Sequence, residues 1–192
     1  MTNRQTGLSL HELTVVCGVI GVLTAVGMPN FKAHSVRAHL YGATRVFEGE
    51  FNKARSMAVR GNVYTAIRFE RLDDEPQFSV YADGNHNGVR SVDIAKGIDR
   101  RIAGPFPLHG GAPGVRVGIL PGLPAPPPEK GRLEGDDPIR FGKSDIVSFS
   151  PLGTATPGTF YLAGEEIQGA VRVSVGARVR MLICRGGKWE EY

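Results

Sequence analysis

Asp83, Asn85 and Asn87 set side-chain oxygens at alternate positions ahead of Gly88, in the stretch DGNHNGVRSVD. Oxygen ligands at that spacing, followed by a glycine that permits a sharp turn, make the first half of a calcium loop. The second half is incomplete. A calcium loop closes on a carboxylate at its twelfth place, whereas here Asp93 is the eleventh residue and Ile94 the twelfth. A hairpin turn rich in Gly and Asn accounts for the same residues. Arg178 and Arg180 share one side of a strand if side chains alternate, and Arg172, Arg185 and Lys188 lie near them in sequence. Such a row can track a phosphate backbone. It can equally be the solvated face of an antiparallel strand.

Other chemistries find little support. His11, His34, His39, His86 and His109 form no H-E-x-x-H pattern. Ser148 and Ser150 stand outside any G-x-S-x-G context. HGGAPG is glycine-rich but is not followed by Lys-Ser or Lys-Thr, so it is no phosphate loop. Neither an enzyme activity nor a cofactor is expected.

The remaining residue with chemical interest is Glu12, placed at the edge of an apolar run. Residues 13–31 carry no charge. As a helix rising about 1.5 Å per residue, such a run approaches the roughly 30 Å of a bilayer core. A secretory signal would have a basic start, a shorter apolar region and a small-residue cleavage site. Arg4 is the only charge before Glu12, and no A-x-A site follows the run. An uncleaved anchor helix explains the length better. A carboxylate inside hydrocarbon costs about 2.5–3.5 kcal/mol, so Glu12 either marks a boundary or awaits a cation. A cut after Gly7 would give Leu8 a new amine one helical turn before Glu12.

These parts together, in G-LSLHE-LTVVCGVIGVLTAVGMPNF, resemble the class III signal of type IV pilins and type II secretion pseudopilins. The elements of the match are Gly7, Leu8, Glu12 and Pro29. Further on, FNKARSMAVRGNVYTAI is similar to the helix-to-strand passage of the GspH/FimT group of minor pilins. VSFSPLGTATPGTFYL with VRVSVGARVR is similar to that group's closing β region. The resemblance implies a prepilin peptidase that cuts after Gly7 and methylates Leu8. It implies that Glu12 meets the terminal amine of a neighbouring subunit during assembly. The implied partners are that peptidase, other pilin or pseudopilin subunits, and an inner-membrane assembly platform. The implied location is a single pass in the inner membrane with the head in the periplasm, and a pseudopilus or pilus tip after assembly. Some members of the group serve DNA uptake through a Gly-Arg-x-Arg motif. Here Ala177 separates Gly176 from Arg178, and DNA binding stands as the alternative function.

The elements that would carry these sites follow from pattern. The chain has 192 residues with a net charge of +4, which permits an anionic partner without demanding one. Its 26 glycines and 13 prolines favour short strands and turns over a helical bundle. Cys17 and Cys184 form no disulfide or metal framework. Pro29 should bend or interrupt the first helix. Beyond it Val36, Leu40, Ala43, Phe47, Phe51, Ala54 and Ala58 recur in steps of three and four, a single helical stripe that Gly61 would end. Strands are predicted at 63–70, 77–83, 115–120, 145–150, 159–164 and 171–184. The proline-rich segment 121–138 is predicted to be an exposed loop. The expected fold is α+β and pilin-like: a leader (1–7), a transmembrane helix (8–31), then an amphipathic helix and an antiparallel β-rich head (32–192). Transmembrane and amphipathic halves would make one long helix packed on the head.

Overall fold

The computed structural model describes residues 9–72, 75–108 and 112–192; for residues 26–33 and Leu72 it describes the backbone alone. The cut site Gly7/Leu8 and His109 lie outside the described residues, as does the side chain of Pro29. The elements are α1 (Leu10–Gly61), β1 (Thr65–Leu72), β2 (Glu75–Ala82), α2 (Ser91–Ala95), β3 (Arg100–Pro107), β4 (Arg116–Val117), β5 (Ile139–Arg140), β6 (Ile146–Phe149), β7 (Gly158–Ala163), β8 (Ile167–Val173), β9 (Val179–Arg185) and β10 (Lys188–Glu191). The chain forms two units, Met1–Ser35 and Val36–Tyr192.

The transmembrane expectation is corrected. Among the described residues no helix is long and apolar enough to cross a membrane. The first turn of α1 carries His11 and Glu12, and its side chains are described over residues 10–25 and again from residue 34. The pilin-like fold built on a transmembrane half, and the single-pass inner-membrane location with a periplasmic head, fall with that expectation. Within the second unit, the part of α1 from Leu40 onward packs on the sheets.

In the second unit, β-structure dominates. Two antiparallel sheets run in the orders β3-β2-β1-β6 and β10-β9-β8-β7-β4, with β5 also paired to β7. All seven stripe positions of α1 are buried. Those from Leu40 to Ala58 meet Ile67, Phe69, Phe78, Val147 and Phe149 of the first sheet, and Phe160, Leu162, Val171, Met181 and Ile183 of the second, in one apolar core. Alternation in the strands explains the division: Phe160 and Leu162 face the helix, and Tyr161 between them faces away. Phe160 is the centre of the aromatic packing. Its ring lies 4.6 Å from that of Phe47 and stacks on Phe69 at 5.3 Å. Where a side chain would obstruct the helix, the strand has Gly169, directly under Thr44.

Two predicted strands and the proline-rich loop depart most from the pattern reading. The predicted strand 171–184 is two strands, β8 and β9, joined by a turn in which Ala177 takes a left-handed φ of 53°. The predicted strand 115–120 shrinks to β4: Gly118 N still donates to Tyr161 O at 3.3 Å, but Gly118 O and Leu120 N turn to a side chain. Gln168 Nε2 donates to Gly118 O at 3.1 Å, and Leu120 N donates to Gln168 Oε1 at 2.7 Å. The proline-rich loop is not simply exposed. Within it Leu133 is buried, and Leu123 and Ala125 partly so, against Tyr161, Ala170 and Leu182 on the outer face of the second sheet, beside Ile119. Trp189 Nε1 donates to Pro124 O at 2.8 Å and ties β10 to the same cover.

Candidate functional site

The first unit begins with a helix start that its own residues complete. Ser9 precedes α1, and Glu12 is three residues on. Ser9 N and Ser9 Oγ donate to Glu12 Oε2 at 2.8 and 2.9 Å, and Glu12 N donates back to Ser9 Oγ at 3.3 Å. This is a capping box, in which two otherwise unpaired amides are satisfied reciprocally. The Ser9 backbone N–H, and after it the Ser9 hydroxyl, hold the Glu12 carboxyl below the usual carboxylate range. The S-x-x-E spacing is legible in the sequence and identifies Ser9 as a partner that the reading of Glu12 alone missed.

Past the cap, α1 offers water almost nothing. Residues 13–25 carry no charge. Leu10, Leu13, Val16, Val19, Ile20 and Leu23 are all exposed, spread around the helix rather than along one stripe. The two threonines turn their hydroxyls inward: Thr14 Oγ1 donates to Leu10 O at 2.8 Å and Thr24 Oγ1 to Ile20 O at 2.7 Å. A helix without exposed polar groups, and apolar on every side, is a surface that a further layer of protein would bury.

The loop after β2 holds the residues of the calcium pattern. Asp83 Oδ1 accepts from Asn85 N and His86 N, both at 2.9 Å, and Asp83 Oδ2 accepts from Gly88 N at 2.6 Å. Asp93 Oδ2 accepts from Asn87 Nδ2 at 3.2 Å. Asp99, which the pattern did not include, accepts from Gly84 N at 3.2 Å and Arg90 N at 2.9 Å. These oxygens brace the loop's own amides, as Asx turns do. Among the described residues no group of three His, Cys, Asp or Glu is placed to hold a metal ion.

The arginine row is likewise engaged. Arg178 lies in the turn before β9, not in a strand as expected, and Arg180 lies within β9. Glu191 pairs with both, at 2.7 Å to Arg178 and 3.5 Å to Arg180, and Arg172 pairs with Glu129 at 2.8 Å. The cross-strand partner Glu191 arises from the pairing of β10 with β9, which spacing along one strand cannot show. His39 is also spoken for, with Nδ1 3.1 Å from Pro113 O. Compared with family models, curated proteins and solved structures, the chain matches none of them.

Proposed function

We propose that the chain is a minor subunit of a filament of the type II secretion pseudopilus or type IV pilus-tip kind, matured by a prepilin peptidase between Gly7 and Leu8. The observation that carries this reading is the exposed apolar helix of residues 10–25, headed by Glu12 and preceded by the Gly7-Leu8 pair. In a filament the helix is covered by the same helix of neighbouring subunits. Apolar packing of this sort has no preferred register. A carboxylate that leaves its capping contacts for a neighbour's terminal amine supplies one, because an unpaired charge in a dry interface is costly. The resemblance to the GspH/FimT group supports the same reading from the other end of the chain.

The test is co-production with a prepilin peptidase and mass spectrometry of the product. The expected N-terminus is Leu8, and Glu12→Gln should be cut normally but recovered poorly in assembled filaments. A leader left intact in the presence of active peptidase would refute the assignment. So would normal incorporation of Glu12→Gln together with a cut elsewhere.

A further inference from the structure

A second site lies in the other unit and is independent of the N-terminal reading. A cavity of about 420 Å³ opens on the outer side of the first sheet, between the 87–90 loop and the turn that follows β6. This volume is within the range of small-ligand sites. Its polar lining includes Arg90, Ser148, Ser150, Thr154 and Thr156, with Tyr64 on one wall. No carboxylate lines it.

The hydrogen-bond directions define what it can take. Ser150 Oγ accepts from Leu152 N at 3.1 Å, and Thr156 Oγ1 accepts from Ser148 N at 3.3 Å. A hydroxyl whose oxygen already serves a backbone amide keeps its hydrogen for an outside acceptor. Neither hydroxyl donates to a described residue, and the Arg90 guanidinium makes no ion pair among the described residues. The cavity thus offers hydroxyl donors and one cation; its other polar side chain is the amide of Asn87, whose Nδ2 is engaged with Asp93. Its wall is braced in advance: Asp83 and Asp99 hold Gly88 N and Arg90 N, so a ligand need not order the loop. The three carboxylates of this segment, Asp83, Asp93 and Asp99, are buried and occupied with internal donors. Arg90, Lys96, Arg100 and Arg101 are exposed and outnumber them.

We infer that this cavity binds a carboxylate group, seated on Arg90 and the Ser/Thr hydroxyls. Two sources carry that chemistry: an acidic side chain or chain end of a partner polypeptide, and a free small polycarboxylate. The hydroxyl-rich lining reads acceptor oxygens, and the single guanidinium matches one carboxylate fork.

The experiment titrates the purified full-length chain with a fluorescent hexaglutamate peptide and, separately, with citrate, by anisotropy and calorimetry. Saturable binding by both, weakened about tenfold or more by Arg90→Gln and measurably by Thr154→Val, is the expected result, since a lost charged hydrogen bond is worth about one decade. Arg90 and Thr154 are exposed, so the melting temperature of each variant should equal that of the parent. Peptide binding without citrate binding assigns the site to a polypeptide partner, and the converse assigns it to a free polycarboxylate. The inference is overturned if neither probe binds at millimolar concentration. It is also overturned if Arg90→Gln binds as the parent does, or if the distant Arg178→Gln weakens binding equally. Displacement of the peptide by equimolar inorganic phosphate or duplex DNA would reject a carboxylate in favour of a phosphate.

Discussion

Replacing Gly169 by alanine tests the contact on which the helix-to-sheet packing rests. A β-carbon at Gly169 would fall inside the contact radius of Thr44 Oγ1, and 3.5 Å from Thr44 Cβ and Cγ2. Thr44 is fully buried and its hydroxyl is held by Leu40 O at 2.7 Å. Either that hydroxyl must swing away or α1 must lift from β8. Overpacking of this kind costs about 1–3 kcal/mol, and the gain from removing a glycine from a strand returns roughly 0.5–1 kcal/mol of it. For a chain of this size about 1 kcal/mol moves the melting temperature by about 2–4 °C, so a fall of several degrees is expected. Thr44→Ala removes the offending oxygen and leaves only the β-carbon, at ordinary contact distance. In that background Gly169→Ala should be close to neutral, with a coupling of about 1–2 kcal/mol between the two positions. Thermal and urea unfolding of the four proteins, followed by circular dichroism, measures it. Equal cost of Gly169→Ala in both backgrounds would show that the helix does not rest on β8 at this point.

Three further outcomes follow from individual side chains. Gln168→Leu should cost about 2–4 kcal/mol, because Gly118 O and Leu120 N lose their buried partner; faster proteolysis of the 118–133 cover would accompany the loss. Asp145 has a left-handed φ of 50°, and burial, followed by the nearby Asp137 charge, raises its pKa. Its folded pKa lies above the unfolded value, so its favourable contribution belongs to low pH and is lost as pH rises through the folded pKa. Asp145→Asn should therefore raise the melting temperature at pH 7 and do so less at pH 4. For Glu12 the sign is opposite: its folded pKa is lowered, so the capping contribution is present above the unfolded pKa and vanishes as pH falls through the folded one. Amide exchange of residues 10–14, corrected for its intrinsic pH dependence, should quicken on going from pH 7 to pH 3, and that quickening should be absent in Glu12→Gln.

The parts of the molecule that were legible are those whose signal is local. The stripe from Val36 to Ala58 carries its own period, and each of its positions is buried. The pair β1 and β2 reads from alternation and registers without a slip from Thr65↔Ala82 to Leu72↔Glu75. β3 gave no such signal. Its RRIAGPFP sequence holds two prolines and a left-handed Gly104, tolerable only because it is an edge strand with register shifts against β2. The turn between β8 and β9 is hidden by alternation that continues through it, and by an alanine where a left-handed residue would ordinarily be glycine. The transmembrane expectation rested on counting residues 13–31 as one span, whereas among the described residues no helix is long and apolar enough to cross a membrane. For the charge row, spacing along one strand could not show the partner on another, Glu191, and for the calcium pattern it could not show that the oxygens of Asp83 accept from the loop's own amides.

The placement of α1 ahead of all the strands has a consequence in time. Phe47 touches Phe78 of β2 but also Phe160 of β7, and the rest of the second sheet lies later still. A ribosome adding about 5–20 residues per second needs several seconds or more to supply β7 after the helix is complete. Throughout that interval a face bearing Leu40, Phe47 and Phe51 has at most the first sheet and the segment before β7 to cover it, and lacks Phe160, Leu162, Val171, Met181 and Ile183. The nascent chain is thus most open to aggregation after its helix forms and before its last third emerges. Holdase chaperones that recognise aromatic helical faces should crosslink to Phe51 in stalled chains ending near residue 150, and not in chains released at full length.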